Sequence, residues 1–212
     1  LVQIKVSTAT ENGKVKLYSL AENELKPETG GIYKLPKGTE FVIRAKGDRP
    51  CEEITAFKLT KQGGGEESIA AQYAKHSAGY DYRVTYRIEE NIDDIVRVRR
   101  NKEYTINYET QIGDAKLKVV EGTLAGGVFA PEGDVPSGAK RSPAPCGKQL
   151  RLQVIKGARQ IQSVLCFSEN YPAGFGMVET PANSGFYSFP FNADITKFEV
   201  KFLPVTRKIR YL

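Results

Sequence analysis

Only a few side chains in this sequence are of the types that do chemistry, and their spacing limits what that chemistry could be. His76 is the single histidine, and the cysteines are Cys51, Cys146 and Cys166. A Ser-His-Asp triad or a Cys-His pair therefore has one imidazole to draw on, and no cysteine sits in the small-residue elbow that exposes a nucleophile. An odd number of cysteines without CxxC spacing is neither a zinc site nor a disulfide framework. The acidic run Glu89, Glu90, Asp93, Asp94 has oxygens to offer calcium, but it lacks the alternating spacing and the glycine of an EF-hand loop. Gly63-Gly64-Gly65 and Gly174-Phe175-Gly176 suggest phosphate cradles, yet neither leads into Lys-Ser/Thr and a helix, so both read as loop tips. Carboxylate pairs for glycoside hydrolysis need a cleft with aromatic platforms, and the chain has no Trp. The expectation is a non-enzyme with no catalytic residue, no metal ligand and no cofactor.

Binding is the remaining class. The segment Tyr171 to Met177 concentrates Tyr171, Phe175 and Met177 in what reads as a variable loop, and apolar side chains on a loop are candidates for contact with a partner. The competing reading folds them back over the end of a β module as packing. Net charge is +6 with pI near 9.1, but the basic cluster Arg97, Arg99, Arg100, Lys102 follows the acidic run within a few residues. Mixed charge of this kind belongs to solvated faces and turns, so nucleic acid is not an expected partner. No apolar run approaches the roughly 18 to 20 residues of a membrane helix, so no membrane insertion by this segment is expected. The three cysteines read as buried thiols acting as small apolar residues. A bridge between Cys146 and Cys166 would need a bulge or a different register if 148–156 and 160–167 formed a hairpin.

The elements that must position these residues recur. Tyr104-Thr-Ile106-Asn-Tyr108 restates Val2-Gln-Ile4-Lys-Val6, and a third copy begins at Arg207-Lys-Ile209-Arg-Tyr211, the isoleucines being 102 and then 103 residues apart. Units this long can each bury a core. The chain opens at Leu1 without Met or signal peptide and stops as the third copy starts, so both ends read as cuts in a longer parent. Each copy has an alternating first strand and a Gly turn (Asn12-Gly13, Gly113-Asp114), then a second strand. A Gly-Gly pair and a Pro-x-Gly turn follow, Leu35-Pro36-Lys37-Gly38 matching Val135-Pro136-Ser137-Gly138. The strand Glu40–Ala45 aligns with Gln149–Val154, the second copy having gained a proline-rich loop from Ala139 to Cys146. Ile54–Phe57 aligns with Ile161–Val164. A Gly-aromatic strand (Tyr82, Val84, Tyr86; Tyr187, Phe189, Phe191) and a closing strand, Ile95–Val98 or Phe198–Phe202, complete the unit. Ser68 to His76 carries alanines that support one or two turns of helix.

The predicted fold is all-β with little helix: two tandem, sequence-related, two-layer β modules of about 100 residues. A β-grasp-like module is the alternative. The boundaries are 1–100, 101–206, and 207–212 as the first strand of a truncated third repeat or a C-terminal strand.

The order of glycine turns, Pro-x-Gly segments and alternating strands resembles the divergent internalin-B-type (Listeria–Bacteroides) repeats of bacterial surface proteins, most clearly at Leu35–Ala45 and at Val135–Gly138 with Leu150–Val154. The resemblance implies an extracellular or outer-surface location and a role as spacer and/or adhesion module. Its partners would be host or microbial surface proteins or glycans, and the segment itself a monomer in solution. Alternatives are a fimbrial or filament subunit and an accessory domain pair of a secreted hydrolase. The usual Trp after the amphipathic strand is missing, and the family has no shared catalytic or metal set to carry over.

Overall fold

The computed structural model describes residues 1–6 and 11–204; the third copy beginning at Arg207 lies outside the described residues. The chain divides into two compact units, Leu1–Asn101 and Lys102–Leu212. No helix lies among the described residues, which sets aside the β-grasp alternative, since that fold packs a helix across its sheet.

The first unit contains β1 (Val2–Lys5), β2 (Val15–Tyr18), β3 (Ile32–Leu35), β4 (Glu40–Ala45), β5 (Glu52–Lys61), β6 (Glu66–Ala70), β7 (Gln72–Tyr73), β8 (Tyr82–Arg87) and β9 (Ile92–Asn101). One sheet runs β3-β1-β9-β5-β6 and the other β2-β4-β8-β7. Because side chains alternate along a strand, each sheet turns one apolar row inward. Ile4, Ile54, Phe57, Leu59, Ile92 and Ile95 meet Val15, Leu17, Phe41, Ile43 and Tyr82 in one buried cluster. The helix expected over Ser68–His76 is instead β6 and β7. Ile69 stands opposite Phe57 and packs on the core, and that cross-strand burial outweighs the weak helical preference of the alanines.

The second unit contains β10 (Tyr104–Ile106), β11 (Gln111–Ile112), β12 (Ala115–Ala125), β13 (Val128–Val135), β14 (Ala139–Arg141), β15 (Gln149–Ile155), β16 (Ile161–Ser168), β17 (Tyr171–Gly176), β18 (Val178–Glu179), β19 (Phe186–Ser188) and β20 (Ile195–Phe202). Its sheets run β14-β10-β20-β16-β17 and β11-β12-β15-β19-β18, with β13 paired to β12. Ile106, Leu117, Val119, Leu152, Val154, Val164, Cys166, Ile195 and Phe198 form its core. Strand for strand, the first of these sheets has the connectivity of β3-β1-β9-β5-β6. Irregularities recur too: the ladder to the last strand slips between Ile54 and Ala56 in one unit and between Ile161 and Ser163 in the other.

Two alignments drawn from the sequence shift. Pro36-Lys37-Gly38 turns between β3 and β4, with the Gly38 N–H donating to the Ile88 carbonyl, whereas Pro136-Ser137-Gly138 turns between β13 and β14, with the Gly138 N–H donating to the Ile106 carbonyl. The Pro-x-Gly turns are alike locally but stand one strand apart. The start of the supposed extra loop at Ala139 is therefore β14, which pairs with β10 as β3 pairs with β1. In addition, 148–156 and 160–167 are not a hairpin, because β15 and β16 belong to different sheets. The reading of three thiols is also corrected: Cys166 is the free, buried thiol, while Cys51 and Cys146 are disulfide-bonded.

Candidate functional site

The segment singled out for binding is a strand and not a loop. β17 pairs antiparallel with β16, Phe175 opposite Cys166 and Tyr171 opposite Ser168. Opposed residues share a face, so Phe175 points to the core side of the sheet at its open edge. Its ring lies 5.1 Å from that of Tyr171 and is 36% exposed. Met177 follows the strand and is buried in the second core at 8% exposure, so it packs and offers no contact. On the other face, Gly174 has φ +89°, and a Cβ there would lie 2.8 Å from the Phe167 ring. Lys197 Nζ sits 4.5 Å above that ring.

Beside this edge lies a cleft of about 480 Å³ lined by Phe167, Ser168, Glu169, Pro172, Asp194, Thr196 and Lys197. Several of its polar groups already have partners. Asp194 Oδ1 accepts from the Thr105 N–H at 2.6 Å, Thr196 Oγ1 donates to the Phe167 carbonyl at 3.2 Å, and Lys197 Nζ donates to Glu199 at 2.5 Å. Ser168 Oγ is buried without a partner. The half-exposed aromatic pair at the sheet edge can meet an edge of another protein, while the cleft, which neither ring lines, is a separate polar surface on the Phe167 and Lys197 face. It does not assemble a nucleophile, a base and an orienting group.

The other sequence candidates are drawn into the scaffold. His76 Nδ1 accepts from the Ala78 N–H at 3.2 Å, its own N–H donates to Asp81 Oδ1, and its ring meets Tyr18 edge-on at 5.3 Å, so it closes a turn. Glu89 pairs with Arg87 and Glu90 with Lys61, while Asp94 Oδ1 accepts from the Ile95 N–H. Among the described residues no three His, Cys, Asp or Glu side chains are grouped to hold a metal ion. The three arginines of the basic cluster have carboxylate partners: Arg97 pairs with Glu11 and Asp48, Arg99 with Asp48, and Arg100 with Glu53. Gly63 and Gly64 do form a hairpin tip, both with positive φ, between β5 and β6. Cys166 is walled in by apolar neighbours, and burial pushes its thiol up to about 12, which leaves it unreactive as a nucleophile.

Sequence reasoning missed three features. Arg97 has a fully buried side chain and donates to Glu11 and to the Lys46 carbonyl. Asp48 beside it feels burial, which pushes its carboxyl up, but hydrogen bonds from Lys14 and Arg97 outweigh that and hold it below the usual carboxylate range. Arg44, buried on the outer side of β4, donates to Glu22 at 2.8 and 3.0 Å and to the Tyr80 carbonyl at 3.1 Å, and Arg83 adds a second ion pair to Glu22. The hydrogen bond from Arg44 holds the Glu22 carboxyl below its ordinary value, in a turn where Glu22 adopts φ 60°. The signal was an arginine inside Phe-Val-Ile-Arg-Ala, a strand buried on both sides. The third is a pair of side-chain staples. Asn91 Oδ1 accepts from the Gln3 N–H at 2.9 Å, as Asp194 Oδ1 does from the Thr105 N–H. Asp194, the one acidic residue kept in the aligned stretch, thus joins the first strand to the last.

No protein-family model, curated protein or solved structure matches the chain.

Proposed function

We propose that this chain is a non-enzymatic pair of sequence-related β units from a secreted or cell-surface bacterial protein, acting as a spacer and as an adhesion module toward a host or microbial surface protein or glycan. One observation carries the reading. In each unit the first and last strands lie parallel in one sheet, Ile4 beside Ile92 and Ile106 beside Ile195. Parallel strands point the same way, so the chain joins a unit at one end and leaves it at the other. With about 3.3 Å per residue, the ten residues of β9 carry the chain roughly 30 Å from the level of Ile4. A unit wired in this way adds its own length to whatever it carries.

The disulfide-bonded Cys51 and Cys146 support an oxidising, extracytoplasmic setting. The resemblance to internalin-B-type repeats points the same way. For adhesion, the half-exposed Tyr171 and Phe175 at the open sheet edge are the surface of choice.

The test displays the chain on a bacterial surface between an anchor and a terminal epitope. Epitope accessibility to a bulky antibody is measured against a short Gly/Ser linker, together with binding to glycans and matrix proteins at low and physiological salt. Greater reach, with saturable binding that Tyr171→Ser and Phe175→Ser weaken, is the expected result. Accessibility equal to that of the short linker, with no saturable binding, overturns the reading.

A further inference from the structure

We infer that each unit is built to carry tensile load, with its first strand held as a shear clamp between two neighbours and locked by Asn91 or Asp194. This deepens the spacer reading and rests on it.

Load on a unit enters where the chain enters it and where the chain leaves it. Tension on the chain pulls the start of β1 and the end of β9 apart along the strand axis. β1 is not an edge: it is paired antiparallel with β3 over four residues, Val2 with Leu35 to Lys5 with Ile32, and parallel with β9 on its other side. β10 is likewise held between β14 and β20. Sliding β1 out therefore breaks both ladders together. It also draws Ile4, fully buried, from the core, as it would Ile106 in the second unit. The far end is anchored just as well, because β9 pairs with β5 along nearly its whole length, Glu52 opposite Asn101 to Lys61 opposite Ile92. Bonds perpendicular to the pull share load, whereas a hairpin pulled at one end opens rung by rung.

The parallel ladder by itself is short, and the staples lengthen it. In the second unit the Asn107 N–H donates to the Ile195 carbonyl, and two residues earlier the Thr105 N–H finds the Asp194 carboxylate in place of a main-chain partner. Asn91 does the same for Gln3. Different residue types, each one position before the paired isoleucine, thus supply the same acceptor to the same strand. Asn91 Nδ2 is in turn held by Gln62 Oε1 at 2.8 Å, at the end of β5.

Single-molecule force spectroscopy on the full chain, held at its two termini under thiol reductant, tests this. Wild type should yield in two steps, each releasing about 300 Å, the extended length of roughly 100 residues less the folded span. It should resist more force than when unit 1 is held at Gly64 and Glu89, which lie at one end of the β5–β9 ladder and unzip it. Asn91→Ala with Asp194→Ala should speed unfolding at constant force several-fold, up to about tenfold for one lost hydrogen bond per clamp, and Asn91→Asp should restore unit 1. Termini-held unfolding at forces no higher than the unzipping geometry overturns the shear-clamp proposal. Strong resistance unchanged by the alanine pair overturns the staple. Neither result touches the epitope-reach test, so failure of the clamp and failure of the spacer reading are told apart.

Discussion

Replacing Glu11 with alanine tests the buried ion pair it makes with Arg97. Glu11 is 2% exposed, and the Arg97 side chain is fully buried beneath it. The substitution leaves a guanidinium in the interior with the Lys46 carbonyl and with Asp48 at 3.3 Å, whose side chain is one-third exposed. Breaking a buried pair costs about 3–5 kcal/mol when nothing replaces the lost partner. Asp48 keeps part of the compensation, so the expected loss is about 2–4 kcal/mol. For a unit of about 100 residues that lowers the unfolding temperature by roughly 10–25 °C. The assay is thermal and urea unfolding followed by circular dichroism, with the urea slope unchanged if the folded surface is preserved. Glu11→Leu combined with Arg97→Met should recover most of the loss, because apolar replacement of a whole buried pair is close to neutral. A loss for Glu11→Ala within the ~0.5 kcal/mol range of exposed pairs, or a double variant no more stable than the single one, would refute the reasoning.

Acid should weaken the first unit. Glu22 and Asp48 are ionised below their ordinary range in the fold, so their stabilisation is complete above the unfolded carboxylate range and is lost as pH falls through it toward the folded values. Urea midpoints between about pH 5 and pH 3 should therefore fall, less steeply in Glu22→Gln; equal slopes would contradict this. Gly122→Ala puts a Cβ 2.2 Å from the Ala130 carbonyl oxygen, forcing the β12–β13 hairpin apart at its register shift. An overpacking cost of about 1–3 kcal/mol is expected by urea titration, together with loss of the contact that places Arg151 4.7 Å from the Phe129 ring. Without reductant, a thiol reagent should titrate one cysteine, Cys166, and only as fast as the second unit unfolds. Rapid labelling of the native chain would show that the thiol is accessible.

Much of the fold is legible in the sequence. The alternating segments beginning at Val2 and at Tyr82 and the segment Ile54–Phe57 lie in strands in the expected order, and the glycines read as turns, Gly13 and Gly113 among them, have positive φ. Alternation is a local consequence of pleating, and a turn glycine is a local consequence of positive φ, so a short window suffices to read either. The misreadings all required knowledge of partners. Tyr171–Gly176 resembled a loop because its glycines and proline lower strand propensity, yet β16 supplies a ladder for it. Met177 counted as a contact residue until the opposite sheet closed over it.

The site separates along the same line. From sequence alone came the all-β class, the scarcity of groups able to do acid-base or metal chemistry, and the variable segment holding Tyr171 and Phe175. Only the tertiary structure decided that Arg97 and Arg44 are interior charges with carboxylate partners 86 and 22 residues away, and that Asn91 and Asp194 reach back to the first strand of their own units. Ion pairs and strand junctions of this kind join residues that share no sequence window. Their strength comes from burial and geometry, neither of which exists until the two sheets have packed.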